Sequence, residues 1–330
     1  MTGWPSFFGT DETEARTLEN APVFYQEDKV ANVAMMAGFA NTPLYLVALF
    51  KWRDLAVYED GRATTLSGFE ADRLYTQAMF STIVPGVGGE VKFIANIEKA
   101  EVVKDSSEND FNMDWDALVA IEFPSGLAFA RMLTNQQFKD LSPNKKAGLQ
   151  FHAIFACELE EGSFLDPVVD VGRNDVLTDA VAEVELLEYK RFADYKEGDE
   201  DSARFRSGKD AAQKYFDTAA NTAADHGMQT IATFKVRQSL IQGSAGWDQV
   251  RINSYPSHAA MDAAKADPET NNYHFEAGVN RANAFQVSPV FVNSLGGNDV
   301  MSYLDACATD TRREVAALGN YDLAGYCPSP

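Results

Sequence analysis

The chain has 330 residues, 45% hydrophobic and 12% aromatic, enough to bury a core, which excludes a disordered or fibrous polymer. With 28 Lys and Arg against 49 Asp and Glu the net charge is −21, a field that repels phosphate backbones and anionic lipid. Nucleic acid and membrane surfaces are therefore excluded as partners, and the length is about twice a common domain, so two domains are expected.

Residues 1–43 read as an N-terminal extension, and their first ten lack the basic start and apolar segment of a signal peptide. A strand is predicted over 44–52, then a helix over 67–82 with apolar residues at helical spacing. Pro85-Gly86-Val87-Gly88-Gly89 breaks the chain ahead of a long strand, 90–103. A phosphate loop precedes a helix, so this glycine-rich stretch is read as a turn. After a polar loop, 115–123 is a strand ended by Pro124-Ser125, whose serine is placed to cap a helix running to about 147. A closing strand over 151–159 completes a first unit, 44–159, and 160–180 is a linker.

The second unit, 181–295, repeats the order. Its strands are predicted at 182–192, 228–241, 247–255 and 285–295. Its helices are predicted at 209–225 and 257–265, the latter broken near Pro268 and resuming before Gly278. Residues 296–330 form a C-terminal extension with a helix over 299–318. No run approaches the roughly 18 apolar residues of a membrane span. Cys157, Cys307 and Cys327 are too few for a disulfide framework, and Cys157 reads as a core residue, so a reduced, soluble, cytoplasmic protein is expected.

Five anchors tie the two units together. WDALVAIEFPS opens at Trp115 and WDQVRINSYPS at Trp247, each with Pro-Ser nine residues after the tryptophan. Ala147-Gly148 matches Ala277-Gly278, Ile94-Ala95 matches Ile231-Ala232, and Tyr58 matches Tyr195. A repeat this long is a duplicated domain, since solenoid periods run roughly 20–50 residues. The predicted fold class is α+β: two ferredoxin-like β-α-β-β-α-β units, each a four-stranded antiparallel sheet with both helices on one face, closing their bare faces together as an intrachain barrel.

The strand LYLVALFKWRD with Tyr58 after it, Gly88-Gly89, WDALVAIEFPS and the helix containing Asn135 to Phe138 resemble the dimeric α/β-barrel superfamily. They come nearest to a widespread bacterial family of single units with no assigned function. The likeness covers 44–159 well and 181–295 more loosely, where the paired glycines shrink to His226-Gly227. The resemblance implies fold more than chemistry, because the superfamily also holds cofactor-independent oxygenases, lactone isomerases, polyketide cyclases and tandem haem enzymes.

Chemistry is sought where the units differ. Side chains alternate along a strand, so Ala117, Val119, Ile121 and Phe123 share a face, and their counterparts are Gln249, Arg251, Asn253 and Tyr255. First and third strands neighbour one another in this fold, bringing Glu183 and Glu185 to Arg251. A pocket of Arg251, Asn253, Tyr255 and Glu185 follows if this face looks into the barrel; otherwise Arg251 and Glu185 are a cross-strand pair on a solvated sheet.

The four histidines form no HExxH, HxH or CxxC pattern, so no metal site is predicted. A haem needs one imidazole, which His152 or His274 could give, and His152 is also a candidate base. The expectation is a small-molecule enzyme without a tightly bound cofactor that begins oxygenation, isomerisation, cyclisation or elimination by proton abstraction. Glu185 or His152 is the base, Arg251 stabilises the anion, and Asn253, Tyr255 and Gln249 bind substrate. The alternatives are a non-catalytic ligand-binding or assembly protein, in which the extensions serve homo-oligomer contacts, and a haem enzyme.

Overall fold

The structure is a computed structural model and describes residues 38–104, 114–162, 181–190, 207–241, 247–267 and 278–292. Most of the N-terminal extension, the C-terminal extension, most of the linker, Tyr195, Pro268, His274, Cys307 and Cys327 lie outside the described residues.

The first set of elements is β1 (Leu44–Trp52), α1 (Gly68–Ala78), β2 (Glu90–Lys104), β3 (Ala117–Phe123), α2 (Gly126–Thr134), α3 (Gln136–Gly148) and β4 (Leu149–Gly162). The second is β5 (Val181–Tyr189), α4 (Gly208–Asp225), β6 (Gln229–Ile241), β7 (Gln249–Tyr255), α5 (His258–Ala266) and β8 (Val279–Val292). The strands are hydrogen-bonded in the order β1-β3-β2-β8-β5-β7-β6-β4, which closes on itself. Within each set the order is thus fourth, first, third, second.

Local chemistry starts the helices. Ser67, Ser125, Ser207 and Ser257 each sit in extended backbone, and each Oγ accepts the amide N–H three residues on. Ser67 adds the reciprocal bond, its own N–H donating to Glu70 at 2.6 Å. The helix predicted to end at 147 is two helices, because Asn135 leaves helical geometry and caps the second through the Phe138 N–H. α1 runs on through a π-helical turn, Met79–Ile83, and a short piece, Val84–Gly86.

Each set also has one close backbone crossing. A Cβ on Gly148 would meet the Gly68 carbonyl oxygen at 2.3 Å, and one on Gly278 would meet that of Gly208 at 2.4 Å. Arg53 donates its N–H to the Gly148 carbonyl and Lys190 donates its N–H to that of Gly278, both at 2.9 Å. Only glycine fits there. Gly148→Ala is expected to lower the thermal midpoint sharply, whereas Gly61→Ala, at an open turn position with φ +75°, should cost little more than backbone strain. Differential scanning calorimetry of the two variants checks this.

Several boundaries differ from expectation, two of them with a clear physical reason. β8 starts at Val279 instead of 285, because its first residues, Asn280, Arg281, Ala282, Asn283 and Ala284, are polar or small and hide a strand that the ladder to β5 secures. β4 runs to Gly162, three residues into the predicted linker; Gly162 has φ +92°, and a Cβ there would meet the Ile231 carbonyl oxygen at 2.2 Å. The described residues fall into two compact units. One holds 38–93 and 119–156; the other holds 94–104, 114–118 and the described residues from 157 to 292.

Phe93, Phe123, Phe138 and Phe155 are fully buried in the first set, Phe234 and Phe285 in the second, and Cys157 is buried as expected of a core residue. Ile121 is only partly buried, so Phe123 is the better core probe. Phe123→Ala is expected to cost about 3–5 kcal/mol in urea unfolding. Among the described residues no helix is long and apolar enough to cross a membrane.

Candidate functional site

The polar strand face of the second set lies beneath its helices. Antiparallel pairing sets Glu183 opposite Asn253, Glu185 opposite Arg251 and Leu187 opposite Gln249. On the other side of β7, Thr233 stands opposite Arg251. Leu187 and Tyr189 pack with Ala212 and Phe216 of α4, and Val181 and Tyr255 pack with Ala223 of α4 and Met261 and Ala264 of α5. The condition that this face looks into the barrel therefore fails. Strand alternation puts Val184, Leu186, Val250 and Ile252 on the other face, and the polar residues fill the layer between sheet and helices. Nor is the layer a solvated sheet: Gln249, Arg251, Asn253 and Tyr255 are all buried.

Arg251 is the centre of this layer. Its guanidinium carbon lies 3.9 Å from the Phe216 ring centroid, and Nη1 lies 3.8 Å from Glu185 Oε2. Asn253 Nδ2 donates to the same carboxylate oxygen at 3.4 Å, and Thr230 Oγ1 donates to Asn253 Oδ1 at 3.1 Å. Glu183 is ion-paired with Lys265, in the last turn of α5. At the other end Tyr189 Oη donates to Gln249 at 2.6 Å and Gln249 Nε2 to Glu160 at 2.9 Å, while Lys209 reaches Glu160 at 2.7 Å. The hydroxyl of Thr233 is buried without a partner among the described residues.

Burial pushes the Glu185 carboxyl up to about 7; Glu183 adds to this, and Arg251, Lys265 and Asn253 only partly oppose it. Burial, with Glu183 and Glu185, raises the Tyr255 phenol well above its ordinary value, and burial with the same carboxylates raises Tyr215 to about 12. Both phenols stay protonated donors. Burial alone would lower the Lys265 ammonium, but Glu183 outweighs it and the group is held above its usual range. Burial likewise opposes the Glu160 carboxylate, yet Lys209 and Gln249 hold it below the ordinary range. The layer thus offers one carboxyl pushed up toward neutrality by burial, beside a guanidinium and several neutral donors.

Glu185, Arg251, Asn253, Tyr255 and Gln249 belong to this layer as placed from the sequence. His152 belongs to the first set. It lies on β4, and burial together with Lys145 holds its imidazole down to about 3, too weak a base for work near pH 7. The sequence reading missed Tyr189, Tyr215, Phe216, Thr233, Lys265, Lys209 and Glu160. Tyr189 alone was legible, following Glu183 and Glu185 at strand spacing; the others come from elements whose facing depends on packing.

Among the described residues no three metal-ligating side chains gather. The described residues of this layer include no imidazole, since His226 pairs with Asp267 at the end of α4, and His258 meets Gln286 and Glu98. They do not fit a histidine-ligated haem.

No family model matches the chain, and no curated protein matches it. Among solved structures it is similar to a protein of unknown function from Rhodopseudomonas palustris, at 19% identity over 38% of this chain and 88% of that one, with a TM-score of 0.32. It is similar to an anthrone oxidase-like protein at 13% identity over 78% of this chain and 94% of that one, TM-score 0.43. A mutant chlorite dismutase from Candidatus Nitrospira defluvii matches at 10% identity over 80% and 94%, TM-score 0.39.

Proposed function

We propose that the chain is a tandem duplication of a ferredoxin-like unit, and that its second copy is a small-molecule enzyme acting by proton abstraction. One observation carries this reading. The positions held by Leu46, Ala48, Val119 and Ile121 in the first set are Glu183, Glu185, Arg251 and Asn253 in the second, and Glu185 there titrates near 7. Burying four polar groups where apolar ones suffice costs stability, and a binding or catalytic role accounts for their retention.

In the mechanism Glu185, in its carboxylate form, accepts a proton from an acidic C–H or O–H of a modest, partly apolar substrate. The electron pair left behind moves onto an adjacent oxygen. Arg251 Nη1, Tyr255 Oη and Thr233 Oγ1 lie on the same layer to stabilise that oxygen, and Asn253 holds Glu185 in place. Oxygenation, isomerisation, cyclisation and elimination share this first step.

The test is hydrogen–deuterium exchange at carbon. A panel of enolisable ketones and phenols is incubated with the protein in D₂O, and loss of the acidic proton signal is followed by NMR. Exchange faster than the buffer rate is expected for at least one compound, with a matching ligand-induced rise in thermal midpoint. A defined oligomer with neither exchange nor midpoint shift across the panel overturns the enzyme reading in favour of assembly.

A further inference from the structure

The first set buries a different group of charges between its sheet and helices. Lys145 of α3 is only 7% exposed, and its Nζ lies 5.4 Å from the Phe50 ring centroid and 5.3 Å from that of Tyr75. Among the described residues nothing accepts a hydrogen bond from it or pairs with it. Asp72 of α1 is 6% exposed and takes both its hydrogen bonds on one oxygen, Oδ2, from Trp52 Nε1 at 3.0 Å and Thr76 Oγ1 at 3.4 Å. Its Oδ1 has no partner among the described residues. The ammonium and the carboxyl interact across the layer yet stop beyond ion-pair distance, and His152, close enough to feel Lys145, has no hydrogen bond among the described residues.

Lys145 Nζ, Asp72 Oδ1 and the His152 ring are therefore left without hydrogen-bond partners among the described residues. The walls beside them are aromatic: Phe50, Tyr75 with Phe138 edge-on at 5.9 Å, and Trp52 with Phe69 at 4.8 Å. A buried amine without an acceptor is costly unless something else supplies one. The second set shows that the scaffold does not require the arrangement, since Ala212 stands where Asp72 is and Tyr189 where Trp52 is.

We propose that this layer is a second ligand site, in which Lys145 condenses with the carbonyl group of a small aromatic aldehyde or ketone. The lone pair of Nζ attacks the carbonyl carbon, and the carbonyl electrons pass to oxygen, which takes a proton. The carbinolamine then loses that oxygen as water while nitrogen gives up its remaining proton and the C=N bond forms. One carbonyl and one amine give one imine and one water, with no oxidant or reductant. Burial lowers Lys145 to about 8 although Asp72 opposes it, which favours the free amine that the step needs, and burial raises the Asp72 carboxyl. Lowered in this way, Lys145 holds more of its free-amine form near pH 7 than an ordinary lysine does. This site shares no residue with the Glu185 cluster, so either assignment can fail alone.

The experiment traps the imine. The full chain is incubated at pH 7 with benzaldehyde and cyanoborohydride, whose hydride reduces C=N to a stable benzyl amine, and labelled lysines are mapped by peptide mass spectrometry. Lys139 and Lys146 of the same helix are exposed and serve as internal controls. Lys145 is expected to label at least tenfold faster than either. Lys145→Arg, which keeps the cation over Phe50 and Tyr75, should lose that label alone and keep the circular dichroism spectrum. Asp72→Asn removes the charge that opposes the lowering of Lys145 and should speed labelling at Lys145 but not at Lys139 or Lys146. Labelling confined to the exposed lysines, with Lys145 untouched in a folded chain, overturns the proposal.

Discussion

Glu185→Gln is expected to reduce proton transfer by about 10²–10⁴-fold while making the protein more stable above neutral pH. The sign follows from the direction of the shift. The carboxyl is raised from 4.5 to about 7 in the folded chain, so the native state holds this proton more tightly than the unfolded state does. With respect to this group, stability is greatest below about 4.5, falls as pH rises, and carries its full penalty above about 7. That penalty is on the order of 3 kcal/mol. Gln is uncharged at every pH and keeps an oxygen to accept from Asn253, so the variant should match the wild type near pH 4.5 and unfold at higher urea near pH 8. Lower activity with higher stability is the signature of a group retained for function; a core ion pair held for stability would lose both.

Arg251→Ala is expected to be the most destabilising single change in the second set, at about 3–5 kcal/mol. It removes the cation that partly offsets the burial of Glu185, leaves Glu183 and Glu185 facing one another, and uncovers the Phe216 ring. Arg251→Lys should recover part of the stability through charge alone, since an ammonium cannot lie flat on the ring. The double variant Glu185→Gln, Arg251→Met should recover more than either single change predicts, because an apolar chain of similar size then meets a neutral amide. Urea midpoints of the four proteins, measured at pH 8, check the coupling. Asn253→Ala is milder: it leaves the Thr230 hydroxyl without its acceptor and should cost about 1–2 kcal/mol, more than a purely surface amide would.

The element order was legible because its signals are local. The Pro124-Ser125 cap, helical spacing of apolar residues and alternation along the central strands all act within a few residues. β8 escaped because Asn280, Arg281 and Asn283 make its first turns of ladder look like loop, and only pairing with β5 reveals them. The site was half legible for the same reason. Alternation brought Gln249, Arg251, Asn253 and Tyr255 to one face, and strand order brought Glu185 to Arg251. Alternation does not say which face the helices cover, so the sequence left the polar face either toward the barrel or on a solvated sheet, and it is found under α4 and α5. Phe216 and Tyr215 are contributed by a helix, where spacing gives a face but not its neighbour. Lys145 and Asp72 lie far apart in sequence and carry no motif; they matter only once α1 and α3 are packed on the sheet.

Whether Glu185 is a base poised near neutrality can be read directly. With ¹³C-labelled glutamate and Glu185→Gln to assign the signal, the carboxyl carbon of Glu185 is followed by NMR across pH 3–10. The expected midpoint lies near 7, and in a folded Arg251→Lys protein it should stay raised. A midpoint at the ordinary value of about 4.3 would mean that the carboxylate is simply paired with Arg251 across the sheet, and would contradict the account of this layer as a site of proton transfer.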